Sequence, residues 1–142
     1  ESILSQHGGD AFRAFSAGTA PQSEVNTTAL DLLRRMKHPI DALHPKHVSV
    51  FRSSDAPRMD FVFTVCDRAA NEDCPPWPGA ALSAHWGVPD PIAETASPRP
   101  GAMTFGQAFT VIEERITAFL ALPLRSLERH ALQLQLDAIG RA

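Results

Sequence analysis

The sequence predicts an α/β fold in which a parallel sheet is covered by helices, and three observations carry that expectation. Phe61–Val65 (FVFTV) is an apolar, β-branched run of the length of a strand buried on both faces. Ala81–Trp86 is a second short run that reads as a strand. Phe105, Phe109, Ile112, Ile116 and Phe119 fall at offsets of 4, 7, 11 and 14, which makes one long apolar stripe on an α-helix. Helices that alternate with short apolar strands argue for a parallel sheet with helices on both faces.

A chain of 142 residues makes one ordinary domain around a single core. With 44% hydrophobic and 20% charged residues it falls among soluble globular chains, and no apolar run approaches the roughly 18 residues of a membrane span. The formal charge is only -3 and Lys and Arg form no runs, so neither nucleic acid nor a membrane is expected as a partner. Two cysteines do not make a secreted disulfide framework, and a cytoplasmic location is the expectation. The chain opens Glu1-Ser2-Ile3-Leu4, with no Met and no signal-peptide pattern, which suggests residues upstream.

In chain order, Glu1–His7 reads as the last turns of a helix ended by Gly8-Gly9. Phe12–Ser16 reads as a short strand before the turn at Ala17-Gly18. After a loop at Pro21–Asn26, Asn26 or Thr27 caps a helix with Leu30, Leu33 and Met36 or Lys37 at helical spacing, closed by His38-Pro39. Between Ile40 and Asp60 the chain reads as loop, helical turn and loop. A helical turn is expected after Asp67, and the three prolines of Pro75-Pro76-Trp77-Pro78-Gly79 exclude regular structure there. The second strand leads into Gly87-Val88-Pro89-Asp90-Pro91, and Ala93–Gly101 reads as a surface loop. Thr104 and Gln107 form a capping box for the long helix, which Pro123 stops. A last helix places Leu124, Leu127, Ala131, Leu134 and Ala138 on one face, with Gly140 as its C-terminal cap. The central, fully buried strand that usually comes first in such a sheet is not among these elements.

Residues with chemical potential cluster between Asp60 and Pro91. Cys66 ends the first strong strand, at the sheet edge where α/β proteins bind ligands. Cys74 lies eight positions on; the intervening loop can bring the two sulfurs together or keep them apart, and buried cysteines are often simply small hydrophobes. Asp90, held between prolines after a strand, is placed to exchange a proton with a substrate oxygen, or is a turn residue that bonds its own backbone. Asp67 reads as a helix cap, and His85 and Trp86 as packing at a strand end. A zinc site from Cys66, Cys74 and His85 lacks both knuckle spacing and a fourth ligand. GxxxxGK[ST], GxGxxG and GxSxG are absent.

Read as a whole, the chain resembles the arsenate reductases built on the low-molecular-weight protein tyrosine phosphatase fold. The resemblance rests on Ser16-Ala17-Gly18, on Met59–Val62 with Thr64-Val65-Cys66-Asp67, and on Cys74-Pro75 with Trp77-Pro78-Gly79. His85-Trp86-Gly87, Asp90-Pro91 and the ending from Leu122-Pro123 to Ile139-Gly140 extend it over nearly the whole chain. It implies a single three-layer, flavodoxin-like domain over residues 1–142, whose first strand leads into a phosphate-binding CX5R loop. Backbone N–H groups at a helix N-terminus cradle the oxyanion in that loop and lower the pKa of its cysteine.

By that resemblance Cys66 and Cys74 are relay thiols that end in a disulfide, and Asp90 is the general acid. The implied substrate is arsenate or another phosphate-like oxyanion. No bound cofactor is implied; thioredoxin is the external reductant, or glutathione or mycothiol if Cys74 is dispensable. The sequence departs from the pattern in one respect: no CX5R occurs in these 142 residues, and Glu1-Ser2-Ile3-Leu4 matches the helix just after that loop. The domain is therefore expected to be N-terminally incomplete, with its central strand missing, and unable to reduce arsenate alone. Ile92 and Ala93 stand where phosphatases of this fold place aromatic residues after the acid, and the chain has no Tyr, which weighs against phosphotyrosine. Two further expectations stand beside the reductase: a phosphatase acting on phosphate esters, and a non-catalytic remnant that forms a homodimer to fill its sheet.

Overall fold

The computed structural model describes residues 1–66, 77, 79–92 and 102–142. Among them are four α-helices, α1 Ser2–Gly8, α2 Thr27–Arg35, α3 Phe105–Leu120 and α4 Arg129–Arg141, and two strands, β1 Phe61–Thr64 and β2 Leu82–His85. Short 3-10 turns occupy Gly9–Ala11 and Val48–Phe51. The strands pair in parallel, with Phe61 opposite Leu82 and Thr64 opposite His85. A mixed α/β fold with a parallel sheet is thus present, as expected. The helical turn expected after Asp67 and the surface loop expected over Ala93–Gly101 lie outside the described residues, as does Cys74.

The core explains why these residues form these elements. β2 alternates buried Leu82 and Ala84 with exposed Ser83 and His85, the period-two pattern of a strand with one covered face. α3 opens on the expected capping box, since the Thr104 hydroxyl accepts from the Gln107 N–H and the Gln107 side chain accepts from the Thr104 N–H. Its stripe buries Phe109, Ile116 and Phe119. Phe119, only 1% exposed, meets Phe12, Phe61, Phe63 and Trp86 edge-on, with centroids 5.0–6.1 Å apart. Edge-to-face contacts set the positive rim of one ring against the negative face of the next. α3 packs against α1, α2 and α4, and α4 covers β2.

Three expectations are corrected. Phe12–Ser16 forms no strand; the chain there makes only an isolated parallel bridge between Gly18 and His47. Phe12 has extended backbone angles, so the local preference is expressed, but a strand needs a ladder and none reaches these residues among those described. On α2 the residues turned to the core are Leu32 and Leu33, while Met36 is 47% exposed. The helix closes with His38 N–H on Leu33 O and Lys37 N–H on Arg34 O, and Lys37 adopts the left-handed φ of 62° usual for glycine at that position.

The last correction concerns α4, which starts later than expected. Glu128 is its N-cap and accepts from the His130 and Ala131 N–H groups, bonds that hold its carboxyl below the ordinary range. Leu124 and Leu127 therefore precede the helix, and the phase is set by Leu132 and Leu136, both buried, with Leu134 53% exposed. Gly140 is no cap. It lies inside α4 against the β2 backbone, where an added Cβ would collide with His85 O and stand 2.8 Å from Trp86 Cδ1. In an unobstructed helix Gly→Ala stabilises by about 1 kcal/mol. Here the sign reverses: Gly140→Ala is expected to lower unfolding free energy by about 1–3 kcal/mol, read from chemical denaturation, and a stabilised variant would show the contact to be loose.

Candidate functional site

A cavity of about 310 Å³ opens beside the carboxyl ends of the two strands. Its walls are apolar, built largely from Ile3 of α1, Leu33 of α2, and Phe109 and Ile112 of α3. Two of the three residues singled out from sequence, Cys66 and Asp90, both line it. One backbone bond does much of the joining: Val88 N–H donates to Val65 O at 2.7 Å, which ties the loop after β2 to the residue before Cys66. The thiol and the carboxyl thus come from chain positions 24 apart but share one cavity. Both residues are exposed, so each can meet a solute.

Asp90 fulfils one of its two expected roles directly. Its Oδ1 accepts from Ile92 N–H at 2.9 Å, the side-chain turn typical of aspartate after a loop begins. The second carboxyl oxygen is not committed by that bond, so the turn orients the group without consuming it. At the ends of the two strands, Thr64 Oγ1 and His85 Nδ1 are 2.8 Å apart. Trp77, the indole of the Trp77-Pro78-Gly79 motif, lies under the Arg52 guanidinium at 4.7 Å, an attraction between a cation and the negative ring face.

Among the described residues that line the cavity, Asp90 is the sole charged one. An oxyanion buried there would lose its hydration and meet no counter-charge. The described residues therefore offer a thiol and a proton carrier at the mouth of an apolar space and no cation within it. The groups that sequence reasoning missed are those that hold this arrangement: Val88, whose contribution is a backbone N–H, and Arg115 of α3, whose Nη1 donates to the carbonyls of Trp86 and Gly87. The second carried a signal. An arginine amid Ile112, Ile116 and Phe119 on a core-facing helix needs acceptors nearby.

The turn at Asp90 yields a clean substitution. In Asp90→Asn the carboxamide oxygen keeps the bond to Ile92 N–H, so stability is expected to stay within about 0.5 kcal/mol of the parent in denaturant titration, whereas Asp90→Ala loses the acceptor. A larger loss in the Asn variant would show that the charge itself holds the loop.

No helix among the described residues is long and apolar enough to cross a membrane. No curated protein matches the chain. A family model described as low molecular weight phosphotyrosine protein phosphatase matches residues 1–133. That span takes in the thiol, the carboxylate and every element that brings them together, and the chain belongs to the low molecular weight phosphotyrosine protein phosphatase family.

Proposed function

We propose that, within this family, the chain carries the redox and proton-transfer half of an arsenate reductase. The observation that supports this most is the convergence of Cys66 and Asp90 on one cavity at the carboxyl ends of the strands. A phosphate-ester hydrolase needs a nucleophile and an acid; a redox relay also needs thiols beyond the nucleophile, and Cys66, which lines the cavity, is the candidate for one of them.

In the proposed reaction a cysteine of a CX5R loop first attacks arsenate, and Asp90 protonates the departing oxygen. The Cys66 thiolate then attacks the sulfur of that adduct. A sulfur–sulfur bond forms, the sulfur–arsenic bond breaks, and its electron pair stays on arsenic, which leaves as arsenite, reduced from the +5 to the +3 state. Cys74 attacks the Cys66 sulfur, expels the first cysteine as thiolate, and keeps the oxidation as a Cys66–Cys74 disulfide. An external dithiol, thioredoxin in this reading, takes up the disulfide and resets both thiols.

The test uses arsenate, thioredoxin, thioredoxin reductase and NADPH. The 142 residues alone are expected to give no turnover, because no CX5R occurs among them. The same residues behind a CX5R strand and loop are expected to consume NADPH, and Cys66→Ser or Cys74→Ser each to abolish it. Turnover that survives Cys74→Ser would move the reductant to glutathione or mycothiol. Phosphate-ester hydrolysis indifferent to both cysteines would replace the reductase with the phosphatase that the family description names.

A second reading concerns assembly. Leu82 and Trp86 N–H bond to Asp60 and Thr64 O, so the ladder uses the even-numbered edge of β1. Phe61 and Phe63 turn their backbone groups the other way, and no ladder reaches them among the described residues. We propose that the isolated chain pairs there with a second copy. Sedimentation of the 142 residues is expected to show a dimer; a stable, well-packed monomer would eliminate it.

A further inference from the structure

We propose that Arg115 is the positioning residue that places the Asp90 carboxyl beside Cys66. Arg115 stands on α3, and its Nη1 donates to Trp86 O and, at 3.0 Å, to Gly87 O. β2 has ended at His85, so these are the first carbonyls beyond the strand and the last anchored ones before Val88. One donor nitrogen shared by two consecutive carbonyls makes both point to a single spot, and this fixes the direction in which the chain leaves the sheet. With that direction set, Val88 N–H meets Val65 O, and three residues after Gly87 the Asp90 carboxyl turns back onto Ile92 N–H.

The chemistry of the side chain fits this task better than a role in stability. Arg115 is half-buried, and among the described residues no carboxylate pairs with it. Its Nε is buried and has no acceptor among them. A half-buried cation without a counter-ion adds little to the stability of a core. Its fixed charge and rigid fork are well suited to gripping adjacent carbonyls, whereas lysine offers a single point charge. The placement of Asp90 is thereby coupled to α3, the helix that also forms a wall of the cavity.

This inference rests on the reading of Asp90 as the acid, but its test does not. Amide hydrogen exchange, followed by NMR on the full chain, compares the parent with Arg115→Met, which keeps the aliphatic stem, and Arg115→Lys. Arg115→Met is expected to speed exchange at Val88 and Ile92 by about tenfold while Ala84 and Phe119 stay within about twofold of the parent. Arg115→Lys is expected to recover part of that protection. Unchanged exchange at Val88 and Ile92 overturns the proposal, and so does an equal loss at Ala84 and Phe119, which would mark a general stability role. If Arg115→Met does not fold, Arg115→Lys decides, since parent-like protection at Val88 in that variant also overturns it. Loss of the acid reading is seen separately: an Asp90→Asn protein that keeps full arsenate turnover behind a CX5R loop removes that role and leaves the exchange pattern untouched.

Discussion

Trp86 is bonded at every polar atom it possesses, and the site depends on those bonds. Its backbone N–H donates to Thr64 O at 2.7 Å, its carbonyl accepts from Arg115, and its indole Nε1–H donates to Leu136 O at 3.0 Å. Its ring stacks on Phe63 with centroids 3.7 Å apart. One residue thus joins both strands to α3 and to α4, and it is only 3% exposed. A buried indole with an unmet N–H would be costly, so α4 must lie where its Leu136 carbonyl can accept. That requirement also explains Gly140: the helix can come this close to β2 only where no Cβ intervenes.

The consequence for chemistry is that the loop bearing Asp90 begins at a residue whose polar atoms are all bonded. Cys66 follows β1 by two residues and Asp90 follows β2 by five, and the two chain ends are tied together by Val88 and Val65. Strand ends are exposed yet rigid, which is why sites form there in α/β folds. The apolar cavity behind them gives a dry wall against which a thiol or a carboxyl would feel charge more strongly than in water.

Much of this could be read from the residues because the signals are local. The capping box at Thr104 and Gln107, the stripe from Phe105 to Phe119, and the two strands depend on spacing alone, and all four appear. Most of what could not be read depends on partners distant in sequence. Phe12–Ser16 has the pattern of a strand but no ladder to join. The face of α4 does not follow from leucine spacing, because its phase depends on where Glu128 caps it, and neither Pro123 nor the leucines before the cap announce that start. Arg115 and Val88 act on carbonyls 23 to 29 positions away, and backbone acceptors leave no trace in sequence. Asp90 was legible as a residue type; its bond to Ile92 N–H shows the turn role and uses one carboxyl oxygen.

The two edges of the sheet are not alike. On β2 the outward-facing carbonyls belong to Ser83 and His85; Gln133 Nε2 donates to the first at 2.8 Å, and the α4 backbone at Gly140 crowds the second. Edges blunted in this way cannot accept another strand. Among the described residues, any strand that joined β1 would therefore meet a sheet blunted at its far side, and the proposed pairing would end at two copies. Fibrous growth needs two receptive edges on every unit, and α4 denies this chain the second.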